Sequence, residues 1–279
     1  MRAAFGPLFR GQCLGALLEC SGVGWMTLAI LSALPQEQTG LRALLDQPRL
    51  EQHAGREYCL GLWAGRPVVL ALSRIGKVAA ATTATALIER FGVTDIVFSG
   101  VAGGLGEGVT VGDVVVASHC LQHDMDASPL FPRYEVPLYG QAHFACDPVL
   151  AEGLRVAARA VQARVESHFD ASVRRQYGLD AMQVHQGLLI SGDRFVSAAD
   201  EALGLRARLP EALAVEMEAA AVAQVCHDYG VRFAALRTIS DRADDQAHVD
   251  FPAFLEAVAG RCTTLIVGGL LDHLSQQPS

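Results

Sequence analysis

The sequence predicts an α/β protein, in which short strands alternate with helices along the chain. Its apolar runs are short and rich in β-branched residues, and segments with helical periodicity lie between them. Glycines stand at the junctions, for example Gly76 before a helix and Gly192 after a strand. Hydrophobic residues form 51% of the 279 residues, enough for a core that offsets the chain entropy lost on folding.

Eight strands and six helices are predicted. Short β-branched runs bounded by turn residues predict strands at 27–33, 57–63, 67–73, 95–99, 113–118, 186–191, 213–217 and 232–239. Longer segments with apolar residues at helical spacing predict helices at 36–46, 77–91, 147–161, 199–207, 218–229 and 251–275. Residues 121–140 contain three prolines and no periodicity, which predicts a long ordered loop. Residues 162–183 are polar and carry arginines, which predicts an insertion or a surface helix.

The first 25 residues differ from the remainder of the chain. Gly15 interrupts their weak apolar stretch, which therefore does not match the continuous apolar segment of a signal peptide. A clear strand pattern begins near Met26, and no linker rich in Pro or Ser divides the residues that follow. The sequence thus predicts an N-terminal extension, 1–25, and a single domain, 26–279.

Composition argues against several classes of function. The net charge is −8 without a basic cluster, so nucleic acid is not an expected partner. The best apolar run, 26–34, is nine residues long, and a membrane span needs ~20. Seven scattered cysteines without a C-x-x-C pair indicate reduced thiols in a cytoplasmic protein. His119 and His123 lack an evident third ligand, so no metal is expected.

Chemically useful residues follow several predicted strands, where open α/β sheets place ligand sites. Glu37 follows the first strand, and its carboxylate either points into a pocket or favours the dipole of the next helix. Residues 99–106 (SGVAGGLG) do not fit the dinucleotide pattern; they form a turn or let the backbone approach a ligand closely. Phe195, just past another strand, either stacks on a planar base or packs in the core.

Four ionisable side chains at the ends of two apolar runs give the strongest signal. Glu216 and Glu218 follow one run, whereas Arg237 and Asp241 follow the other. Burying such groups costs free energy unless they are paired or functional. The pattern therefore favours a functional site.

Two motifs are the most specific in the sequence, residues 214–219 (AVEMEA) and residues 237–244 (RTISDRAD). The segments 75–80 (IGKVAA), 102–105 (AGGL) and 191–193 (SGD) accompany them. Together these motifs resemble, in content and order, those of the 5′-methylthioadenosine/S-adenosylhomocysteine nucleosidases of the nucleoside phosphorylase superfamily. The resemblance covers nearly all of the chain beyond its first 25 residues.

The resemblance implies a three-layer α/β/α sandwich around a mixed β-sheet, assembled as a homodimer. It implies an enzyme that hydrolyses the N-glycosidic bond of 5′-methylthioadenosine and S-adenosylhomocysteine to adenine and the 5-thio-substituted ribose. Such a reaction belongs to methionine salvage and methyl-cycle recycling. No cofactor is implied, and the expected partners are a nucleoside substrate and a second copy of the chain.

The resemblance also assigns catalytic roles. Asp241 would be the general acid that protonates adenine N7, oriented by Ser240, because an adenine anion is a poor leaving group. Glu37 would be the base that activates water at C1′ of the ribose, and Arg237 would help hold that water and the Glu37 carboxylate. A division between one acid and one base is typical of glycoside hydrolysis.

For substrate binding, the resemblance implies contacts to each part of the nucleoside. Glu218 would accept hydrogen bonds from the ribose 2′- and 3′-hydroxyls, and Met217 would pack beneath the sugar. Phe195 would stack on adenine, while the backbone of Val196 would read the edge of the base. The 5′-substituent would lie in an apolar pocket lined by Leu34, Ile75 and Phe251.

The sequence departs from the family pattern in two places. Val101 stands where many members have a serine, which removes a hydroxyl from the region of the water and the ribose. The loop 126–134 (DASPLFPRY) differs from the common version, which in relatives reaches across the dimer to cap the 5′ pocket of the other subunit. The preferred 5′-substituent is therefore left open.

Three other functions are alternatives at this level. A purine nucleoside phosphorylase splits the same bond with phosphate, but Glu37 places a carboxylate where an anion site is needed. A nucleosidase for another 5′-substituted adenosine, such as aminodeoxyfutalosine, is not excluded. A non-catalytic nucleoside-binding protein has no need of an acid and a base together, yet Glu37, Glu218 and Asp241 are all present.

Overall fold

The computed structural model describes residues 26–243 and 247–276, without the side chains of 247–250 and 276. The predicted extension, 1–25, lies outside the described residues. Within them, ten strands form one mixed sheet: β1 (Leu28–Ser32), β2 (Asp46–His53), β3 (Arg56–Trp63), β4 (Arg66–Leu72), β5 (Asp95–Gly104), β6 (Val114–Gln122), β7 (His143–Ala145), β8 (Val184–Ser191), β9 (Ala212–Glu216) and β10 (Arg232–Asp241).

The helices follow the strands in alternation through most of the chain. In the described part they are α1 (Lys77–Phe91), α2 (Pro148–Gln162), α3 (Val165–His168), α4 (Ala171–Tyr177), α5 (Ala199–Arg208), α6 (Ala219–Tyr229), α7 (Ala247–Phe254) and α8 (Gly260–Gln276). A π-helical turn, Leu255–Ala259, joins α7 to α8. Short 3₁₀ turns lie at Pro35–Gln38, Leu41–Leu44 and Leu179–Ala181.

Strand β5 is the branch point of the sheet. Its first half lies between the parallel strands β1 and β10, and beyond the end of β1 its residues Gly103 and Gly104 pair with antiparallel β9. From there β9 pairs with β8, β8 with β6, and β6 with β10, which closes a ring of five strands. On the other side β1 continues to β4, β3 and the edge strand β2.

Both faces of the sheet are covered, as the alternation of side chains along β1 illustrates. Leu28 and Ile30 belong to a core formed with α2 and α8, whereas Ala29 and Leu31 belong to a second core formed with α1 and α6. A central strand buried on both faces reads as a continuous apolar run. The expected α/β/α sandwich around a mixed sheet is confirmed.

The prediction of a helix at 36–46 is wrong. Two 3₁₀ turns occupy this region, separated by Gly40 with φ of 93°, and the chain then enters β2. Sequence reasoning misses β2 because nearly all its side chains are exposed at the sheet edge, so that no apolar alternation marks it. It also misses β7, which has only three residues. The loop predicted at 121–140 begins after β6, and 162–183 contains the short helices α3 and α4.

The C-terminal helical segment Phe251–Ser275 has the length and the mean hydropathy, 1.5, of a membrane-crossing helix. In this fold, however, 61% of its most apolar window is buried, and its residues pack with α2 against one face of the sheet. We therefore interpret it as a core helix.

Candidate active site

A cavity of about 440 Å³ lies among the ends of five strands, β1, β5, β8, β9 and β10. Every predicted site residue except Arg237 lines it: Leu34, Glu37, Ile75, Val101, Phe195, Val196, Met217, Glu218, Ser240, Asp241 and Phe251. Glu216, which the sequence singles out as a functional candidate without assigning it a specific role, lines it as well. The cavity thus combines an apolar wall with four carboxyl groups.

Glu37 is held by backbone amides at the turn after β1. Its Oε2 accepts hydrogen bonds from the N–H groups of Ala33 and Leu34, both at 2.8 Å, and its Oε1 accepts one from Val101 at 3.2 Å. Burial raises the pKa of Glu37, and these amides together with the charge of Arg237 offset part of that rise. Of the two alternatives given for Glu37, the structure supports the first, because its side chain lines the cavity although the residue lies in a 3₁₀ turn.

The glycines of β5 make room for two carboxyl groups. A Cβ atom on Gly100 would lie 2.8 Å from Oε1 of Glu37, and one on Gly103 would lie 3.0 Å from Oδ1 of Asp241. Neither glycine has a positive φ, and β5 continues through Gly104, so of the two alternatives for 99–106 the turn does not apply to these glycines. Close approach is indeed what these glycines permit, but to acidic side chains of the same chain.

Arg237 does not line the cavity. Its Nη2 donates to Oε2 of Glu216 at 2.6 Å, and its Nη1 donates to the carbonyls of Phe98 and Leu236, both at 2.9 Å. Burial lowers the pKa of Arg237, but Glu216 and the other carboxylates outweigh that effect and raise it above its ordinary value. The structure thus pairs Arg237 with Glu216 and gives it only a through-space effect on Glu37.

Glu216 also fixes the start of helix α6. Its carboxylate accepts hydrogen bonds from the N–H groups of Glu218 at 3.1 Å and Ala219 at 3.0 Å. The Ser191 hydroxyl donates to Glu216 and accepts a hydrogen bond from the N–H of Ala220 at 2.8 Å. A carboxylate at a helix N-terminus is a recognisable sequence signal, and it was the available clue to this residue.

Glu218 is a buried acid that lies beside a second carboxylate, that of Glu216. Its Oε1 accepts a hydrogen bond from the N–H of Gly76 at 2.8 Å. Burial and the negative charge of Glu216 raise its pKa to about 8. These surroundings favour the protonated form of Glu218 at neutral pH.

Asp241 lies at the end of β10 with its carboxyl group fixed at both oxygens. The Ser240 hydroxyl donates to Oδ2 at 2.7 Å, and the N–H of Ala243 donates to Oδ1 at 2.8 Å. The side chain is buried, and it lines the same cavity as Glu37. Ser240 thus touches the group that it was expected to orient.

Two aromatic rings lie at the cavity wall. Phe195 and Phe251 pack edge to face, with ring centroids 5.8 Å apart and planes at 72°. Phe195 is 43% exposed, so one part of its surface is open to a ligand. Within 26–243 and 247–276, no group of three or more His, Cys, Asp or Glu side chains could hold a metal ion.

The mixed sheet and the acid-lined cavity define a nucleoside phosphorylase-like protein, and residues 27–270 match the Phosphorylase superfamily. The chain belongs to the 5′-methylthioadenosine/S-adenosylhomocysteine nucleosidase family within it. The nucleosidase of Bacillus cereus B4264 is 36% identical over 242 residues, which cover 87% of this chain and 97% of that protein. The nucleosidase of Bacillus thuringiensis Al Hakam is 37% identical over the same shares.

Solved structures agree with this assignment. The nucleosidase of Neisseria meningitidis in complex with methylthio-immucillin-A is 35% identical with a TM-score of 0.78, and the match covers 88% of this chain and 99% of that one. The futalosine hydrolase of Helicobacter pylori is 31% identical with a TM-score of 0.74, covering 89% and 98%.

We expect Glu216→Gln to lower the free energy of unfolding by about 3–5 kcal/mol, because it leaves the buried Arg237 charge without a counter-ion. Urea unfolding measures this change. Glu201→Gln is the matched control, since Glu201 pairs with an Arg194 side chain that is 75% exposed, and its loss should stay below about 1 kcal/mol. Equal losses in the two variants would contradict the structural role of the buried pair.

We expect Glu218→Gln to become more stabilising relative to wild type as pH rises from 5 to 8.5. An unfolded glutamate ionises near pH 4.5, whereas the folded Glu218 retains its proton until about pH 8. Its contribution to stability is complete below pH 4.5 and is lost as pH rises through 8. Urea unfolding of the ligand-free protein at both pH values tests this, with exposed Glu211→Gln as control; a pH-independent difference would contradict it.

Proposed function

We propose that this protein hydrolyses the N-glycosidic bond of 5′-methylthioadenosine and S-adenosylhomocysteine, releasing adenine and the 5-thio-substituted ribose. One observation carries the proposal. Two buried carboxyl groups, Glu37 and Asp241, line one cavity and lie against Gly100 and Gly103 of the same strand. An acid and a base that line one cavity are the pair that hydrolysis of a glycosidic bond requires.

In this mechanism Asp241 is the general acid. It donates a proton to N7 of adenine as the bond to C1′ breaks, so that adenine leaves as a neutral molecule. The hydrogen bonds from Ser240 and Ala243 fix the direction of the carboxyl group towards the base.

Glu37 is the general base on the other side of the sugar. Burial raises its pKa and so makes it a stronger acceptor for the proton of the attacking water. The amides of Ala33, Leu34 and Val101 prevent the carboxylate from turning away. Arg237 acts through Glu216 and through its charge, as a positioning residue rather than as a ligand of the water.

The remaining cavity residues divide between the sugar and the base. Glu218 binds the ribose 2′- and 3′-hydroxyls, whose hydrogen bonds favour the ionised carboxylate and lower its pKa on binding. Met217 packs beneath the sugar. Phe195 stacks on adenine, supported from the side by Phe251, and the backbone of Val196 bonds the edge of the base.

The 5′-substituent lies against an apolar surface. This surface is formed by Leu34, Ile75 and Phe251, and Ile75 is 55% exposed. Val101 has no hydroxyl to offer to the ribose or the water. It contributes to the site through its backbone N–H, which donates a hydrogen bond to Glu37. The futalosine hydrolase among the similar structures supports a nucleosidase for another 5′-substituted adenosine as the second candidate.

We also propose that the protein acts in the cytoplasm as a homodimer. The five cysteines of the described chain are free and buried, as in a reducing compartment. Apolar side chains are exposed near the cavity and on the 126–134 loop, among them Ile75 at 55%, Val78 at 78% and Leu130 at 84%. In a homodimer the second subunit would cover such exposed apolar side chains.

Chromatographic detection of adenine tests the reaction. Methylthioadenosine should yield adenine and free methylthioribose without added phosphate. Adenine that forms only with phosphate would instead make the protein a phosphorylase and overturn the role of Glu37. If adenine forms in neither case, other 5′-substituted adenosines become the substrates to examine.

We expect Asp241→Asn and Glu37→Gln each to lower kcat by roughly 10²- to 10⁴-fold, since each removes one proton transfer. Binding of the nucleoside and the melting temperature should change little, which calorimetry and thermal unfolding measure. Asp180→Asn is the control, because Asp180 is an exposed carboxylate paired with Arg174. Turnover like that of wild type in either site variant would remove that residue from the mechanism.

A further inference from the structure

A second cavity of about 460 Å³ adjoins the first. The two cavities share three wall residues, Ala33, Leu34 and Ile75, of which the last two form the proposed 5′ pocket. The remaining wall of the second cavity comes from the 3₁₀ turn after β1, the β2–β3 hairpin and the end of β4: Pro35, Gly55, Arg56, Glu57, Leu72 and Arg74. The second cavity therefore lies next to the proposed 5′ pocket, on the other side of Leu34 and Ile75.

The second cavity carries two positive charges that no carboxylate neutralises among the described residues. Arg74 donates to the carbonyl of Gly55 at 2.6 Å, and Arg56 donates to the carbonyls of Ala54 and Ala79, both at 3.2 Å. Nε of Arg56 is buried and has no hydrogen-bond partner in the described part of the chain. Carbonyl contacts orient the guanidinium groups and leave their charge available to an anion.

A carboxylate stands in the same wall. Glu57 accepts a hydrogen bond from Gln52 at 3.0 Å and lies 4.0 Å from Arg42, with half of its own side chain exposed. The second cavity therefore presents two guanidinium groups and one carboxylate. An α-amino acid has the complementary set, one carboxylate and one ammonium group.

The backbone at Arg74 gives independent support. Its φ is 66°, a left-handed conformation that glycine adopts freely and that a side chain makes unfavourable. Such residues are enriched where function depends on a particular placement of the side chain. Here the conformation places an arginine beside Ile75, at the boundary of the two cavities.

We propose that the second cavity binds the amino-acid end of a 5′-thio substituent, with Arg74 and Arg56 on its carboxylate and Glu57 on its ammonium group. The proposal rests on the nucleosidase function and specifies the substrate that the site selects. The methylene chain lies against Leu34 and Ile75. A methylthio group ends at those two residues, so the charged residues distinguish S-adenosylhomocysteine from methylthioadenosine.

Arg74→Gly tests this inference, because glycine suits the left-handed backbone and removes only the side chain. Loss of a charged hydrogen bond should raise KM for S-adenosylhomocysteine roughly tenfold or more. The kcat should stay unchanged, because the contact is remote from the bond that breaks. Both constants for methylthioadenosine should stay within twofold of wild type, and Arg74→Lys should restore part of the loss.

Two further variants sharpen the result. Arg175→Gly removes an exposed arginine of α4 that lines neither cavity, so the kinetic constants for both substrates should stay unchanged. Glu57→Gln should weaken S-adenosylhomocysteine but not a nucleoside whose 5′-substituent carries a carboxylate without an ammonium group. If wild type prefers such a carboxylate-only substrate, the cavity recognises an anion without an ammonium group, and the amino-acid assignment is overturned.

The outcome is separable from that of the proposed function. If wild type hydrolyses both substrates and Arg74→Gly affects them equally or not at all, the second cavity has no such role and the nucleosidase function stands. If wild type hydrolyses neither substrate, the proposed nucleosidase function is wrong. Calorimetric binding of the two nucleosides to wild type and Arg74→Gly then decides: a loss confined to S-adenosylhomocysteine supports the cavity's role, and any other result overturns it.

Discussion

The buried ion pair between Arg237 and Glu216 is the interaction on which the site depends. It joins β10 to β9, two strands that do not hydrogen-bond to each other in the five-stranded ring. The same Glu216 carboxylate binds the first amides of α6 and so sets the positions of Met217 and Glu218. A charge as deeply buried as that of Arg237 tolerates few arrangements of its neighbours, because any loss of contact leaves it unpaired.

Around this pair, four carboxyl groups share one cavity without being equivalent. Glu37 is bound by three backbone amides, Asp241 by a hydroxyl and one amide, and Glu218 by one amide beside the charge of Glu216. Hydrogen bonds from amides favour ionised carboxylates, whereas burial and a neighbouring negative charge favour protonated ones. Different environments for chemically similar groups are what allow acidic and basic roles to coexist in one site.

The motif residues could be predicted from the sequence because they stand at the ends of strands. Strands buried on both faces are continuous apolar runs and are easily recognised. Contacts that depend on three-dimensional approach were not. The partner of Arg237 is Glu216 rather than Glu37, and the glycines of β5 serve neighbouring carboxyl groups. The exposed strand β2 has no apolar pattern, so neither it nor the cavity that its hairpin helps to form was detectable.

The apolar C-terminal helix has a consequence for the order of synthesis. All ten strands of the described chain precede Phe251–Ser275, so the surface that buries this segment has left the ribosome before the segment appears. A nascent chain with so hydrophobic a stretch nearer its start would expose it for longer, at greater risk of aggregation. Because the strands precede it in the chain, the sheet that accepts this helix is already synthesised when the helix emerges.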